Sequence, residues 1–257
     1  MSRGELDLQT LTEIANKLPR FDGWAKQAMS HIPDFLSIGF PHESEIPIAA
    51  VSLHDCVHTL FATRFALHEY LACGIYFRYR VEPADELLAT SREVYYLDDA
   101  ALRLYSAAEH LADAVVKMLE ISTSQLEPFK KKGASGWARL TAYIRSTSPQ
   151  SRLHRAFSSL AENPDWRLAI RYRGAWVHNQ PPTIRGLGIV YHRRKRWKTS
   201  GNKRFLGLIG TGDEPEFTTE ELGKAFISAC SNFADVFKVV LEEFEEIISA
   251  HGFTIEP

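Results

Sequence analysis

The sequence predicts an all-α fold interrupted by one β-hairpin, and three observations carry that prediction. Two long stretches, 48–77 and 91–121, lack proline and repeat apolar residues at spacings of three and four. Two further segments open with strong helix-capping signals, Asn163-Pro164-Asp165 and Thr218-x-x-Glu221. Only GLGIVYHRRKRWKTSGNKRFLGLIG, residues 186–210, holds paired β-prone runs around a polar, glycine-containing middle. Helices with such stripes bury them against one another as an up-down bundle.

In order along the chain, residues 5–18 place Leu8, Leu11, Ala15 and Leu18 at helical spacing, and Pro19 stops them. Residues 19–47 contain Pro19, Pro33, Pro41 and Pro47 with Gly23 and Gly39, so a loop with one short helix is expected. Residues 48–77 carry Val51, Leu53, Val57, Leu60, Phe61, Phe65, Leu67 and Leu71, enough for a long, largely buried helix that Glu82-Pro83 ends. In 91–121 the stripe is Leu97, Ala101, Leu104, Ala108, Leu111, Val115 and Met118. A loop over 122–136 leads to a short helix around 137–144. The Asn163 cap starts a helix that must stop before Pro181-Pro182. Runs 188–192 and 204–209 are expected as hairpin strands, with 192–204 as a long basic tip. The last helix carries Leu222, Phe226, Ala229, Phe233, Val236, Val240, Phe244 and Ile247, and Gly252 closes it. The domain reading is an N-terminal helical region, 1–90, packed on a bundle with its hairpin insertion, 91–257.

With 257 residues and 45% apolar content the chain can bury a core, which excludes a disordered protein. No uninterrupted apolar run approaches 20 residues, so a membrane span is not expected, and MSRGELDLQTLTEI has no signal-peptide core. Cys56, Cys73 and Cys230 are far apart in apolar helical stretches and read as reduced core residues of a cytoplasmic protein. The net charge of −2 implies no global attraction for nucleic acid or membrane.

The most informative segment is WRLAIRYRGAWVHNQPP, 166–182. Its apolar stripe is Trp166, Ala169/Ile170, then Arg173, then Val177, so a guanidinium stands where a core residue is expected and needs a carboxylate or an anionic ligand. Arg171, Gly174 and His178 follow at spacings of three and four, on one helix side. Gly174 leaves room for an approach between arginine and histidine. His178 ends the helix, where the macrodipole favours its protonated form. The same residues could also be surface charges and a C-terminal cap.

Arg173-Gly-Ala-Trp-Val-His178 fits the R-x(4–6)-H motif of the HEPN superfamily, as does Arg171 with His178, and over roughly 92–250 the chain resembles that family's larger stand-alone members. LDDAALRLYSAAEHLADAVVKML, 97–119, resembles the family's early core helix, in which a Tyr-x-x-x-Glu pattern, here Tyr105 and Glu109, faces the motif helix. The resemblance implies a four-helix bundle that often dimerises. In active members it also implies metal-independent RNA cleavage, with histidine as acid or base and arginine holding the scissile phosphate. Active members often carry a polar residue after the arginine, whereas Gly174 follows Arg173 here.

The run HRRKRWKTSGNKR, 192–204, holds seven Lys/Arg in thirteen positions. Arg193, Arg194, Lys195, Arg196 and Lys198 around Trp197 suit a nucleic-acid backbone with one stacking platform. The run could equally be a solvated tip, or meet the acidic Glu242, Glu243, Glu245 and Glu246. His54-Asp55-x-x-His58 with His68-Glu69 has metal-ligand spacing, but Asp55 replaces the zincin glutamate and no second carboxylate–histidine pair accompanies it, so no metal site is expected. The expected function is an RNA-binding HEPN-type protein, a candidate metal-independent endoribonuclease of a toxin–antitoxin or defence setting, with no cofactor. The alternative is a non-catalytic helical module for dimerisation and nucleotide or protein binding. Expected partners are RNA or a nucleotide, an antitoxin or other protein, and a second copy. The homodimer follows from the length of the 222–247 stripe, which one neighbouring helix would not cover.

Overall fold

The computed structural model describes residues 6–21, 40–41, 44–80, 83–130, 135–178, 182–187, 195–200, 203–208 and 215–252. The chain is an all-α bundle. Its helices are α1 (Leu8–Asn16), α2 (Ile46–Tyr79), α3 (Glu86–Met118), α4 (Thr123–Leu126), α5 (Gly136–Thr147), α6 (Arg152–Glu162), α7 (Pro164–His178) and α8 (Thr219–Ala250), with a 3-10 turn at Glu127–Phe129. Strands β1 (Lys195–Ser200) and β2 (Lys203–Leu208) pair antiparallel between α7 and α8.

Local sequence chemistry sets the helix ends. Asn163 Oδ1 accepts from the Trp166 amide at 2.9 Å to open α7. Thr218 and Glu221 form a reciprocal capping box at the start of α8, and Gly252, at φ +87°, follows its end. Pro47 lies in the first turn of α2 and does not precede it, because a first-turn proline lacks only an amide that has no helical acceptor. The 122–136 stretch is not all loop: a Ser122–Gln125 capping box builds the single turn of α4. Helix α6, which the sequence reading passes over, is capped by Ser151 and buries Leu153, Phe157 and Leu160. Most of 19–47 lies outside the described residues.

One core runs from Leu18 to Ile248 and includes α2 together with every later long helix, and position 90 falls inside α3. The expected stripe of α3 is buried throughout. In α8 the stripe from Leu222 to Phe244 is also buried, against α2, α3, α6 and α7. That corrects the argument for a sticky α8 face. A helix of this length meets four neighbours along its course, so its apolar side is covered within one chain. The aromatic centre is a double stack, Trp137 on Phe157 at 4.3 Å and Trp166 on Phe233 at 5.4 Å.

Helix α2 is apolar nearly all round. Leu53, Val57, Leu60 and Leu67 are buried, whereas Val51, Phe61 and Phe65 are exposed, contrary to the expected stripe. By length and composition it could cross a membrane, since an 18-residue window of it has a mean hydropathy of 1.2, although it holds no unbroken apolar run. Half of that window is buried inside the bundle. Cys56 and Cys230 are buried thiols, Cys73 is half-buried, and burial pushes the Cys230 thiol up to about 12.

A buried polar knot ties α2, α3 and α8 together. Glu93 takes both Arg78 terminal nitrogens, Nη2 at 2.7 Å to Oε2, and its Oε2 also accepts the Thr219 hydroxyl at 2.7 Å. Arg78 Nε reaches Glu86 at 2.9 Å, and the Tyr70 hydroxyl donates to the Thr219 carbonyl at 3.1 Å. Glycine makes the knot possible. A Cβ on Gly74 would overlap the Glu93 carboxylate, and one on Gly223 would overlap the Tyr70 ring.

Candidate functional site

Helix α7 carries the arginine–histidine motif, and its core-facing stripe is Trp166, Ala169 and Tyr172. Tyr172, not Arg173, takes the fully buried place. Its hydroxyl donates to Asp98 Oδ1 at 2.6 Å, and burial beside that carboxylate raises the phenol well above its ordinary range. Arg173 sits half-buried at the stripe's edge, its guanidinium carbon 3.9 Å above the centroid of the Tyr105 ring. The Tyr105 ring thus offers the guanidinium an aromatic face.

Tyr105 and Glu109 stand one turn apart on α3 and do different things. Tyr105 supports Arg173, and burial followed by the Glu109 charge pushes its phenol up. Glu109 caps α5: Oε2 accepts from the Gly136 amide at 2.9 Å and Oε1 from the Trp137 amide at 3.2 Å. A carboxylate there satisfies otherwise unpaired amides and the positive end of the helix dipole.

The two arginines of the motif part company. Two residues of helix turn about 200°, so Arg171 points away from the Tyr105 side and is exposed on a groove between α5, α6 and α7. Seven residues bring positions 171 and 178 within about 20° of one another around α7, whereas positions 173 and 178 are about 140° apart. The backbone therefore puts His178 on the Arg171 face. Gly174 lies nearby, and a Cβ there would meet nothing within 4 Å. Gly174→Ala is expected to stabilise the protein by about 1 kcal/mol, from helix propensity alone, with a raised Tm. A lowered Tm would show that the position is crowded.

The second hairpin strand stands within a residue of the expected 204–209, whereas the first does not fall on 188–192. Strand β1 occupies Lys195–Ser200 and β2 Lys203–Leu208, so most of the basic run is strand and not tip. The register sets Arg196 opposite Gly207, Trp197 opposite Leu206 and Lys198 opposite Phe205. Arg193, Arg194 and the 188–192 run lie outside the described residues. The hairpin leaves and returns side by side, with an Ile184–Phe217 bridge and the Arg185 amide donating to the Phe217 carbonyl at 2.9 Å. Glu243 and Glu246 on α8 pair with Arg152, at 2.9 and 2.6 Å.

On α2, His54 is half-buried 3.7 Å from Asp55, His58 is exposed, and His68 Nδ1 lies 3.3 Å from the buried Glu69. Among the described residues no group of three or more His, Cys, Asp or Glu side chains converges. No protein-family model, curated protein or solved structure matches the chain.

Proposed function

We propose that the chain is an RNA-binding protein of the HEPN type, with α7 as the motif helix and metal-independent strand cleavage as its reaction. The observation that carries this reading is the motif helix itself, with the Arg173 guanidinium carbon 3.9 Å from the centroid of the Tyr105 ring and Arg171 on the face that position 178 shares. An arginine resting on a ring loses less freedom on binding and can neutralise a phosphate. A histidine can take the 2′-hydroxyl proton as that oxygen bonds to phosphorus, or protonate the departing 5′-oxygen. The product is then a 2′,3′-cyclic phosphate and a free 5′-hydroxyl. The test is incubation of RNA with purified protein in EDTA, followed by end-group analysis. Cleavage that appears only on adding a divalent cation would refute the mechanism.

Within this proposal the basic hairpin holds the RNA backbone. Replacing Arg193, Arg194, Lys195 and Arg196 with serine should weaken RNA binding and flatten its salt dependence. Each lost phosphate contact lowers the log–log slope by about 0.7 for a single strand. An unchanged slope in a filter-binding series would assign those residues to bystander surface. The proposed defence or toxin–antitoxin setting adds an antitoxin-like protein partner and a second copy of the chain, which sedimentation equilibrium at micromolar concentration tests.

A further inference from the structure

We propose that α2 carries half of a tetrahedral zinc-type metal site, which a second copy of the chain completes. His54 and His58 are four residues apart, so their imidazoles stand one turn apart on one side of the helix and can hold the same ion. His54 is half-buried and His58 is exposed. Asp55 Oδ1 lies 3.7 Å from His54 Nδ1. A carboxylate beside one ring nitrogen orients the imidazole and leaves Nε2 as the ligand atom. Two imidazoles fill half of the four places zinc takes, and among the described residues no third His, Cys, Asp or Glu of the same chain joins them. The other two ligands have to come from outside the chain.

The surroundings of the pair decide the source. Val51, His54, His58, Phe61 and Phe65 follow one another at spacings of three and four, the seam pattern of paired helices. That seam lies on the side of α2 away from the buried Leu53, Cys56, Leu60 and Leu67, by which the helix joins its own bundle. Val51 is 45% exposed, Phe65 is 53% exposed, and Phe61, edge-on to Phe21 at 5.4 Å, is still 39% exposed. A second α2 lying antiparallel, with the two-fold axis beside position 56, sets His54 against the partner's His58 and Val51 against the partner's Phe61, each twice. Small then meets large in the seam, whereas a parallel copy would set Phe61 on itself. The second histidine pair that one chain lacks is supplied by the two-fold axis, and four imidazoles fall in two adjacent layers around one ion. The ion is also needed for the pairing. The three apolar residues offer roughly 250 Å² per copy, against about 800 Å² in a stable interface, so the seam alone does not hold two chains together. The site lies off the motif helix and does not depend on the RNA reading.

Sedimentation equilibrium of the full chain in zinc chloride and in EDTA tests the proposal. With zinc the mass should double from 29.1 kDa, at one metal ion per two chains, and EDTA should return it to the starting value. Cobalt chloride in place of zinc should give the strong visible absorption of tetrahedral coordination. His58→Ala, at an exposed position, should abolish both signals and leave Tm within a few degrees of wild type. His68→Ala, about three turns further along α2, should keep both. A mass that stays at 29.1 kDa in zinc would overturn the site. A dimer that EDTA leaves intact would overturn it as well, as would a His58→Ala chain that still doubles its mass in zinc.

Discussion

Replacing Glu93 with alanine is expected to destabilise the protein by about 3 kcal/mol, measured by urea unfolding at neutral pH. Glu93 is 3% exposed and receives two Arg78 N–H groups and the Thr219 hydroxyl. Without it, the Arg78 guanidinium is left in the interface with Glu86 as its remaining carboxylate among the described residues, whose side chain is 71% exposed and whose pairing is screened by water. The Thr219 hydroxyl loses its acceptor at the same moment. Arg78 retains 24% side-chain exposure and can turn partly toward solvent, which puts the loss at the lower end for a broken buried pair. Glu93→Gln should cost less, because an amide still offers Thr219 an oxygen. A loss under about 1 kcal/mol for the alanine variant would show that the knot is a bystander of packing.

The second large effect concerns chemistry. His178→Ala should lower the rate of RNA cleavage by about 10²–10⁴-fold, the usual contribution of a positioned acid or base. Arg173→Ala should lower it by about 10²–10³-fold, as for loss of one preorganised donor to developing charge. Both variants should keep the wild-type Tm within a few degrees, since Arg173 sits at the edge of the core. The comparison with Arg171→Ala is the informative one. Position 171 shares the His178 face of α7, so a larger loss there than at Arg173 would move the phosphate contact across the helix. Full activity in His178→Ala would remove the histidine from the reaction.

What the sequence made legible was local. The Asn163 and Thr218 caps, the stripe of α3 and the stripe of α8 are each written within a few turns of chain, and each stands where its spacing puts it. Helix α6 is legible too, since Ser151 followed by Leu153, Phe157 and Leu160 is a cap and an i, i+4, i+7 stripe. In α2 the signal is absent. A helix apolar on every side does not say which side its neighbours will take, so Val51, Phe61 and Phe65 could not be told from Leu53 and Leu60. Tyr172 and Arg173 are adjacent, and only the arrival of Asp98 and Tyr105 from α3 decides which is buried. The Arg78–Glu93 pair depends on residues brought together from different helices, which no single-segment pattern encodes.

The central place of α8 has a consequence for how the chain comes into being. Helices α2 and α3 lie antiparallel and adjacent in sequence, so their mutual contacts require little loop closure and can form early. The inner faces of α3, α6 and α7, by contrast, are completed by Phe226, Phe233, Val240 and Phe244, which are synthesised a hundred residues and more after α3 begins. During translation those faces stay open to water and to other chains, because nothing made earlier can fill the space reserved for α8. Growth from the ribosome therefore yields a sticky, half-walled bundle first, and cooperative closure follows only when the long final helix docks.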